Sequence, residues 1–257
     1  MKKNLWYIIL ILMVFIFINL LDCSSDNKEK PTDISYQEKE KRKNSEINTV
    51  FSSAIRFLYQ EGNRAKAAER FAEFAQKYPM SRWTPDAQEL VSLLKKMVEE
   101  DKNWKEPEDI SKLSINEQIS YRVYKLRDVN LWEPSTPGHT FFLSSQWLGR
   151  DIRNAAWELY KIGEPAIPIL IGLLNDRRPT RTVGNVKHIY TRTIQRYQDA
   201  ALEILEKLFS KEFFGPYEPK GGAHYFSELA PEQRQKIIAE IKAYWEKTQE
   251  KPNDKKK

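Results

Sequence analysis

Residues 162–176, which read IGEPAIPILIGLLND, decide the fold class of this chain. The stretch is strongly apolar, yet two prolines stand three positions apart at its front. Pro165 suits the first turn of a helix, where a missing N–H costs nothing, and Pro168 falls within that turn or just past it. Apolar residues then recur at the spacing of one helix face: Ile167, Leu170, Ile171 and Leu174. The stretch therefore predicts an amphipathic helix that opens on proline.

The residues just before this stretch predict the first helix of a hairpin. Small and apolar residues between positions 150 and 162 share one helix face: Ile152, Ala155, Ala156 and Leu159. Gly163 then supplies the turn. This arrangement resembles one hairpin of the HEAT-like repeats named after phycobilisome lyases. The resemblance implies a helical packing unit and brings no catalytic residue, because many unrelated proteins share that unit.

Two later helices extend the HEAT-like block over residues 149–247. Residues 196–209, RYQDAALEILEKLF, place an apolar set on one helix face: Tyr197, Ala201, Leu205 and Leu208. The last helix opens at Pro231. Its apolar side carries Ile237, Ile241, Tyr244 and Trp245. We expect these two helices to pack as a second, interrupted repeat.

A different repeat pattern occupies residues 47–100. Residues 57–79 read FLYQEGNRAKAAERFAEFAQKYP and resemble a tetratricopeptide (TPR) unit. The matching positions are Gly62, Ala67, Phe71 and Pro79. Residues 77–88, which overlap this stretch and read KYPMSRWTPDAQ, are typical of TPR units in bacterial periplasmic assembly lipoproteins. Because helical repeats need neighbours to bury their faces, we expect this hairpin to pack on the rest of the chain or on a partner.

Capping signals mark two further helix starts. Thr84 is expected to be an N-cap, with Pro85 at the first helical position. Ser114 and Glu117 have the spacing of a capping box, which predicts one helix inside a connector at residues 101–148. The rest of that connector is rich in proline and aromatic residues and is expected to lie on the helices as a cover.

The composition also favours helices. Of 257 residues, 40% are hydrophobic and 12% aromatic, which allows a substantial core. Only 9 residues are glycine, whereas all-β folds need many turn residues. Together with the repeats, this predicts an all-α superhelix in which a TPR-like hairpin precedes a short HEAT-like array. The single cysteine excludes an internal disulfide.

The N-terminus has the layout of an export signal. Two lysines precede an apolar run at residues 5–21, so the rest of the chain is expected outside the inner membrane. The run ends in a sequence that resembles the lipobox of bacterial lipoproteins, with Leu20 and Cys23 in place, which implies that Cys23 is lipidated. Asp22 departs from the glycine, alanine or serine usual there. The alternative is an uncleaved signal anchor, so residues 1–22 are a signal peptide or an anchor.

Two polar segments are expected to be disordered. Residues 23–46 balance acids and bases and cannot bury enough apolar surface to fold alone, so they are interpreted as a tether between membrane and folded body. Residues 248–257 form a basic tail.

The positive charge of the chain is concentrated in residues 177–198. This segment has six basic residues and no acid: Arg177, Arg178, Arg181, Lys187, Arg192 and Arg196. Six also equals the net charge of the whole chain, so charges cancel elsewhere. With His188 among them, these residues predict an anion- or partner-binding patch. The alternative is a solvated loop whose arginines pair with acids. Acids available for such pairing are Asp151, Asp176 and Asp199.

Signatures of enzymes are weak. His139, His188 and His224 lie far apart without metal-ligand spacing, and the sequence has neither a glycine-rich phosphate loop nor a G-x-S-x-G elbow. We therefore predict a chain with no catalytic residue, cofactor or metal. The leading function is a protein–protein interaction scaffold or assembly factor anchored in the bacterial envelope. An anion-binding module for lipid, lipopolysaccharide or cell-wall phosphate is second, and an unrecognised hydrolase third. Nucleic acid is not an expected partner of an exported body.

Overall fold

The computed structural model describes residues 33–131, 142–143, 153–185, 192–215, 223 and 225–250. The chain divides between Glu46 and Ile47 into two compact units. The segments predicted as TPR-like (47–100) and HEAT-like (149–247) both fall in the second unit, Ile47–Lys257.

Most of the described residues are helical, which confirms the helical class. The α-helices are α1 (Asp33–Tyr59), α2 (Arg64–Lys77), α3 (Thr84–Asn103), α4 (Ile115–Lys125), α5 (Ala155–Ile162), α6 (Ile167–Leu173), α7 (Tyr197–Phe209) and α8 (Pro231–Glu250). Short 3₁₀ turns lie at Ile110–Lys112, Leu126–Asp128, Glu164–Ala166 and Phe226–Glu228.

The basic segment departs from the all-α prediction. Strands β1 (Pro179–Asn185) and β2 (Arg192–Arg196) pair antiparallel, with Val183 opposite Ile194. Several positions hold β-branched residues, which suit pleated strands: Thr180, Thr182, Val183, Thr193 and Ile194. The segment predicted as a loop is therefore a two-stranded sheet, and both Val183 and Ile194 are buried.

One hydrophobic core joins helices α1, α2 and α3. The ring of Phe51 lies 5.4 Å from that of Phe71 and 5.1 Å from that of Phe74, both edge to face. Val183 and Ile194 from the two strands complete the same core. The TPR-like helices thus bury part of their apolar face against the rest of their own chain.

Helix α3 begins one residue differently from the prediction. Thr84 is the first helical residue, and the cap position falls on Trp83, which makes no side-chain capping bond. The Thr84 hydroxyl instead donates to the carbonyl oxygen of Tyr78 at 2.5 Å. This hydrogen bond ties the start of α3 to the end of α2, and Thr84 is not the cap because it already lies inside the helix.

The two prolines of residues 162–176 divide the predicted helix into two parts. Residues Glu164–Ala166 form a 3₁₀ turn before α6 begins. Pro168 has no N–H to donate to the carbonyl of Glu164, and that carbonyl accepts from Ile167 instead. Gly163 provides the turn before this segment with a φ of +77°.

A second core lies within α4 to α8. The predicted apolar faces supply its buried centre: Ala156 and Leu159 from α5, Leu170 and Ile171 from α6, Ala201 and Leu205 from α7, and Ile241 from α8. Ile119 of α4 joins them. The capping box of α4 is also present, with the Ser114 N–H donating to a Glu117 carboxylate oxygen at 2.8 Å.

Helix α1 begins earlier than the sequence predicted. It starts at Asp33, so residues 33–46 are helical where a disordered tether was expected. Gln, Glu, Lys and Arg dominate this half of α1, and these residues have good helix propensity. Acids also precede bases at helical spacing, as at Glu38 and Arg42, which supports a solvated helix without a core.

The proposed membrane signal lies elsewhere in the chain. Residues 1–22 and Cys23 lie outside the described residues, as do residues 251–257 of the basic tail. Within the described ranges, no helix has both the length and the apolar character to cross a bilayer.

Candidate functional site

The arginines of the basic segment reach acids on helix α3. Arg177 donates through Nη2 to Oε2 of Glu89 at 2.7 Å. The side chain of Arg196 is only 4% exposed; it contacts Asp86 and lies 3.1 Å from Oε2 of Glu89. Burial alone would raise the pKa of the Glu89 carboxyl, but the hydrogen bond from Arg177 and the charge of Arg196 outweigh it and lower the pKa.

Two other arginines also bind within the chain. Arg178 pairs with Asp176, with Nη2 2.6 Å from Oδ2, and its guanidinium lies 4.5 Å from the centre of the Tyr197 ring. Arg181 donates to the carbonyl oxygen of Tyr59 at 3.0 Å. Together with the Arg177 and Arg196 pairs, these contacts link the two-stranded sheet to helices α1 and α3.

The remaining candidates of this segment are not placed by the structure. Lys187 and His188 lie outside the described residues, and so does the side chain of Arg192. Of the acids considered as partners, Asp176 pairs with Arg178, and Asp199 accepts the backbone N–H of Arg196 at 2.7 Å. Asp151 lies outside the described residues.

A second cluster of charges centres on a residue that the sequence did not single out. The side chain of Arg127 is 1% exposed and contacts both Glu100 and Asp101. Its guanidinium also lies 3.8 Å from the centre of the Tyr124 ring. Asp101 in turn accepts from the Tyr124 hydroxyl at 2.7 Å. This network fastens the end of α3 to the end of α4. No local motif signals it, because Glu100 and Asp101 lie more than 20 residues before Tyr124 and Arg127.

A groove of about 1100 Å³ opens beside this network, between α2 and α3. Its lining includes Ala65, Ala68 and Glu69 from α2, and Lys95, Lys96, Val98, Glu99, Glu100 and Asn103 from α3. Trp104 and Tyr124 also line it. This volume is slightly above the range of roughly 300–1,000 Å³ that is common for small-molecule sites.

Trp104 belongs to a stack of aromatic rings beside the groove. Its ring is parallel to that of Tyr124, with the centres 3.4 Å apart. Its indole N–H donates to Glu106 at 3.1 Å, and Glu106 also accepts from the Tyr121 hydroxyl at 2.6 Å. Hydrogen bonds from Tyr121 and Lys125 lower the pKa of the Glu106 carboxyl to about 2. These contacts fix the indole ring, so the aromatic side of the groove is preorganised.

The titratable side chains that the structure describes include one deeply buried carboxyl, that of Asp199. In the part of the chain that the structure describes, no three His, Cys, Asp or Glu side chains are placed to hold a metal ion. Asp199 is buried, and burial raises the pKa of its carboxyl to about 6. It accepts the backbone N–H groups of Arg196 and Ser227, at 2.7 and 2.8 Å. Asp199 therefore joins the start of α7 to the 3₁₀ turn before α8, which is a structural role.

Comparison with known proteins adds no assignment, since no family model, curated protein or solved structure matches this chain.

Proposed function

We propose that this chain is a non-catalytic scaffold or assembly factor that binds a protein partner in the bacterial cell envelope. A short helical-repeat array is supported by two sequence motifs: the TPR-like residue spacing in α1 and α2, and the HEAT-like motif in α5 and α6. Such arrays are binding modules that present grooves between helices. The N-terminal apolar run and Cys23 support an exported chain held at the membrane by a lipid or by the run itself.

The observation that carries this proposal is the groove between α2 and α3. It is open, and its lining combines small apolar residues with two aromatic residues, a residue type that is enriched at protein interfaces. Ala65, Glu69, Lys95 and Lys96 are all exposed there. A partner that covers the groove would bury apolar surface at its centre and meet charges at its rim.

The anion-binding alternative draws less support from the described residues. Three of its arginines, Arg177, Arg178 and Arg196, already pair with carboxylates of the same chain. An external anion would have to compete with those carboxylates, which are held at fixed positions. Arg181 is directed at backbone carbonyls instead.

Site-specific photo-cross-linking tests the scaffold proposal. A photoreactive residue replaces Ala65 in the full-length, membrane-anchored chain, and the irradiated envelope is analysed by mass spectrometry. We expect one protein partner, cross-linked in stoichiometric yield and recovered again when the partner is the bait. The matched control places the same residue at Lys242, an exposed position of α8. A correctly folded Ala65 variant that captures nothing beyond the control would refute the proposal.

A further inference from the structure

The two walls of the groove carry opposite charges that make no ion pair with any side chain that the structure describes. Glu69 stands on the α2 wall, and Lys95 and Lys96 stand on the α3 wall. None of the three makes an ion pair within the described part of the chain. Two acids also line the α3 wall, but both are paired: Glu99 binds Lys102 at 2.7 Å, and Glu100 contacts Arg127. The groove therefore offers one acidic side and one basic side to whatever occupies it.

The floor of the groove is lined by small side chains. They are Ala65 and Ala68 of α2 and Val98 of α3. Small residues allow a second helix to approach to interaxial distances of about 8–10 Å. The space above them suits large apolar side chains of an occupant.

The walls also select the backbone conformation of the occupant. Both are α-helices, whose backbone N–H and C=O groups are already paired within each helix. An extended segment would find no strand edge to pair with, and its own buried backbone groups would lack partners. A helix satisfies its backbone internally, so it is the conformation that this groove accommodates at lowest cost.

We propose that the groove binds an amphipathic helix of a partner protein. Its large apolar side chains lie over Ala65 and Ala68, its acids face Lys95 and Lys96, and its bases face Glu69. This inference rests on the proposed scaffold function and specifies the partner's chemistry. Turning a helix end for end exchanges its two flanks, so the charges of the walls also set the direction in which the helix binds.

Three synthetic helical peptides of about 18 residues test this proposal. All three carry the same stripe of leucines along one helix face and differ only in the residues on either side of it. The first peptide has one acidic and one basic flank, the second has two acidic flanks, and the third has two basic flanks. Fluorescence anisotropy of the labelled peptides measures their binding to the detergent-solubilised full-length chain. We expect the peptide with one acidic and one basic flank to bind most tightly.

Charge reversal on one wall should then change the ranking. In the double variant Lys95→Glu and Lys96→Glu both walls are acidic, so the mixed peptide should lose about tenfold in affinity, as expected for two rim ion pairs. The doubly basic peptide should become the tightest binder. The control variant, Lys242→Glu with Lys247→Glu on α8, has the same change in net charge and should keep the original ranking.

The results that would overturn the helical occupant differ from those that would refute the scaffold function. Equal affinities of the three peptides, or an unchanged ranking in the Lys95→Glu and Lys96→Glu variant with unaltered circular dichroism, overturn the helical occupant. A partner captured from position 65 through a non-helical segment overturns it as well, while leaving the scaffold proposal intact. Absence of any capture from position 65 refutes the scaffold proposal itself.

Discussion

Glu89 on helix α3 and Arg177, 88 residues later in the chain, form a two-point ion pair between the TPR-like and HEAT-like parts. Each side chain is 31% exposed, and the same carboxylate meets the nearly buried Arg196. The pair joins regions that the sequence presents as separate blocks. Residues that looked like a free basic surface are therefore part of the internal packing between them.

Substitution Glu89→Gln should lower the free energy of unfolding by about 2 kcal/mol, because it leaves two partly buried arginines short of a counter-charge. Urea denaturation of the solubilised full-length chain measures the change. The matched control is Glu73→Gln on α2, whose ion pair with Arg70 is exposed and should contribute less than about 0.5 kcal/mol. Equal effects of the two substitutions would contradict a stabilising role for the Glu89 pairs.

Substitution Gly184→Ala should destabilise the fold, because a Cβ at this position of β1 would lie 1.8 Å from the Tyr225 hydroxyl oxygen. Forced repacking of this kind costs about 1–3 kcal/mol. Gly172→Ala in α6 is the control, since its Cβ meets nothing within 4 Å and alanine favours a helix. We expect the two midpoints of urea denaturation to shift in opposite directions; a stable Gly184→Ala variant would show that Tyr225 does not pack here.

Asp199 should make the protein less stable as the pH rises from about 4 to about 7. Its pKa of about 6 lies above the usual 3.8, so the folded state retains a proton that the unfolded state has lost. The shift of roughly two units corresponds to about 3 kcal/mol, fully present below pH 4 and lost above the folded-state pKa. The Glu106 carboxyl, whose pKa is lowered from 4.5 to about 2, affects the pH dependence of stability only in the more acidic range between those two values.

The variant Asp199→Asn isolates this contribution. At pH 7 it should be less stable than the wild type, because the carboxylate accepts the backbone N–H groups of Arg196 and Ser227 through separate oxygens, whereas asparagine has one side-chain oxygen. The difference between the wild-type and variant free energies of unfolding should change across pH 4–7. A constant difference would show that Asp199 titrates near its normal pKa.

Cys23→Ala should abolish incorporation of labelled fatty acid into the expressed chain, because the cysteine thiol is the acceptor in a bacterial lipobox. Asp22→Gly restores the usual small residue before the cysteine and should increase processing relative to wild type. Gel analysis after metabolic labelling measures both effects. A wild-type chain that takes up no label would leave the signal anchor as the means of attachment.

Local patterns in the sequence predicted the individual helices well. The spacing of Ala67, Phe71 and Phe74 gave the buried face of α2, and Ser114 with Glu117 gave the start of α4. These signals work because helix periodicity and capping depend on residues only three or four positions apart.

Non-local relationships were outside the reach of such patterns. Arg127 lies 26 residues from Asp101, and the groove residues Ala65, Lys95 and Tyr124 come from three separate segments. The sequence also predicted a disordered tether at residues 23–46, of which residues 33–46 are helical. That prediction failed because a lack of apolar residues argues against a core but not against a solvated helix.

The sequence by itself determined that this chain is helical, where most helices begin and which faces they bury, since these properties follow from short-range spacing. It also shows the concentration of positive charge at residues 177–198, and it predicts an export signal at residues 1–22. Only the tertiary structure decided that this segment pairs as two strands and directs Arg177 and Arg196 at α3. It alone placed exposed Glu69 and Lys95 on opposite walls of a groove, because such proximity arises from packing between helices.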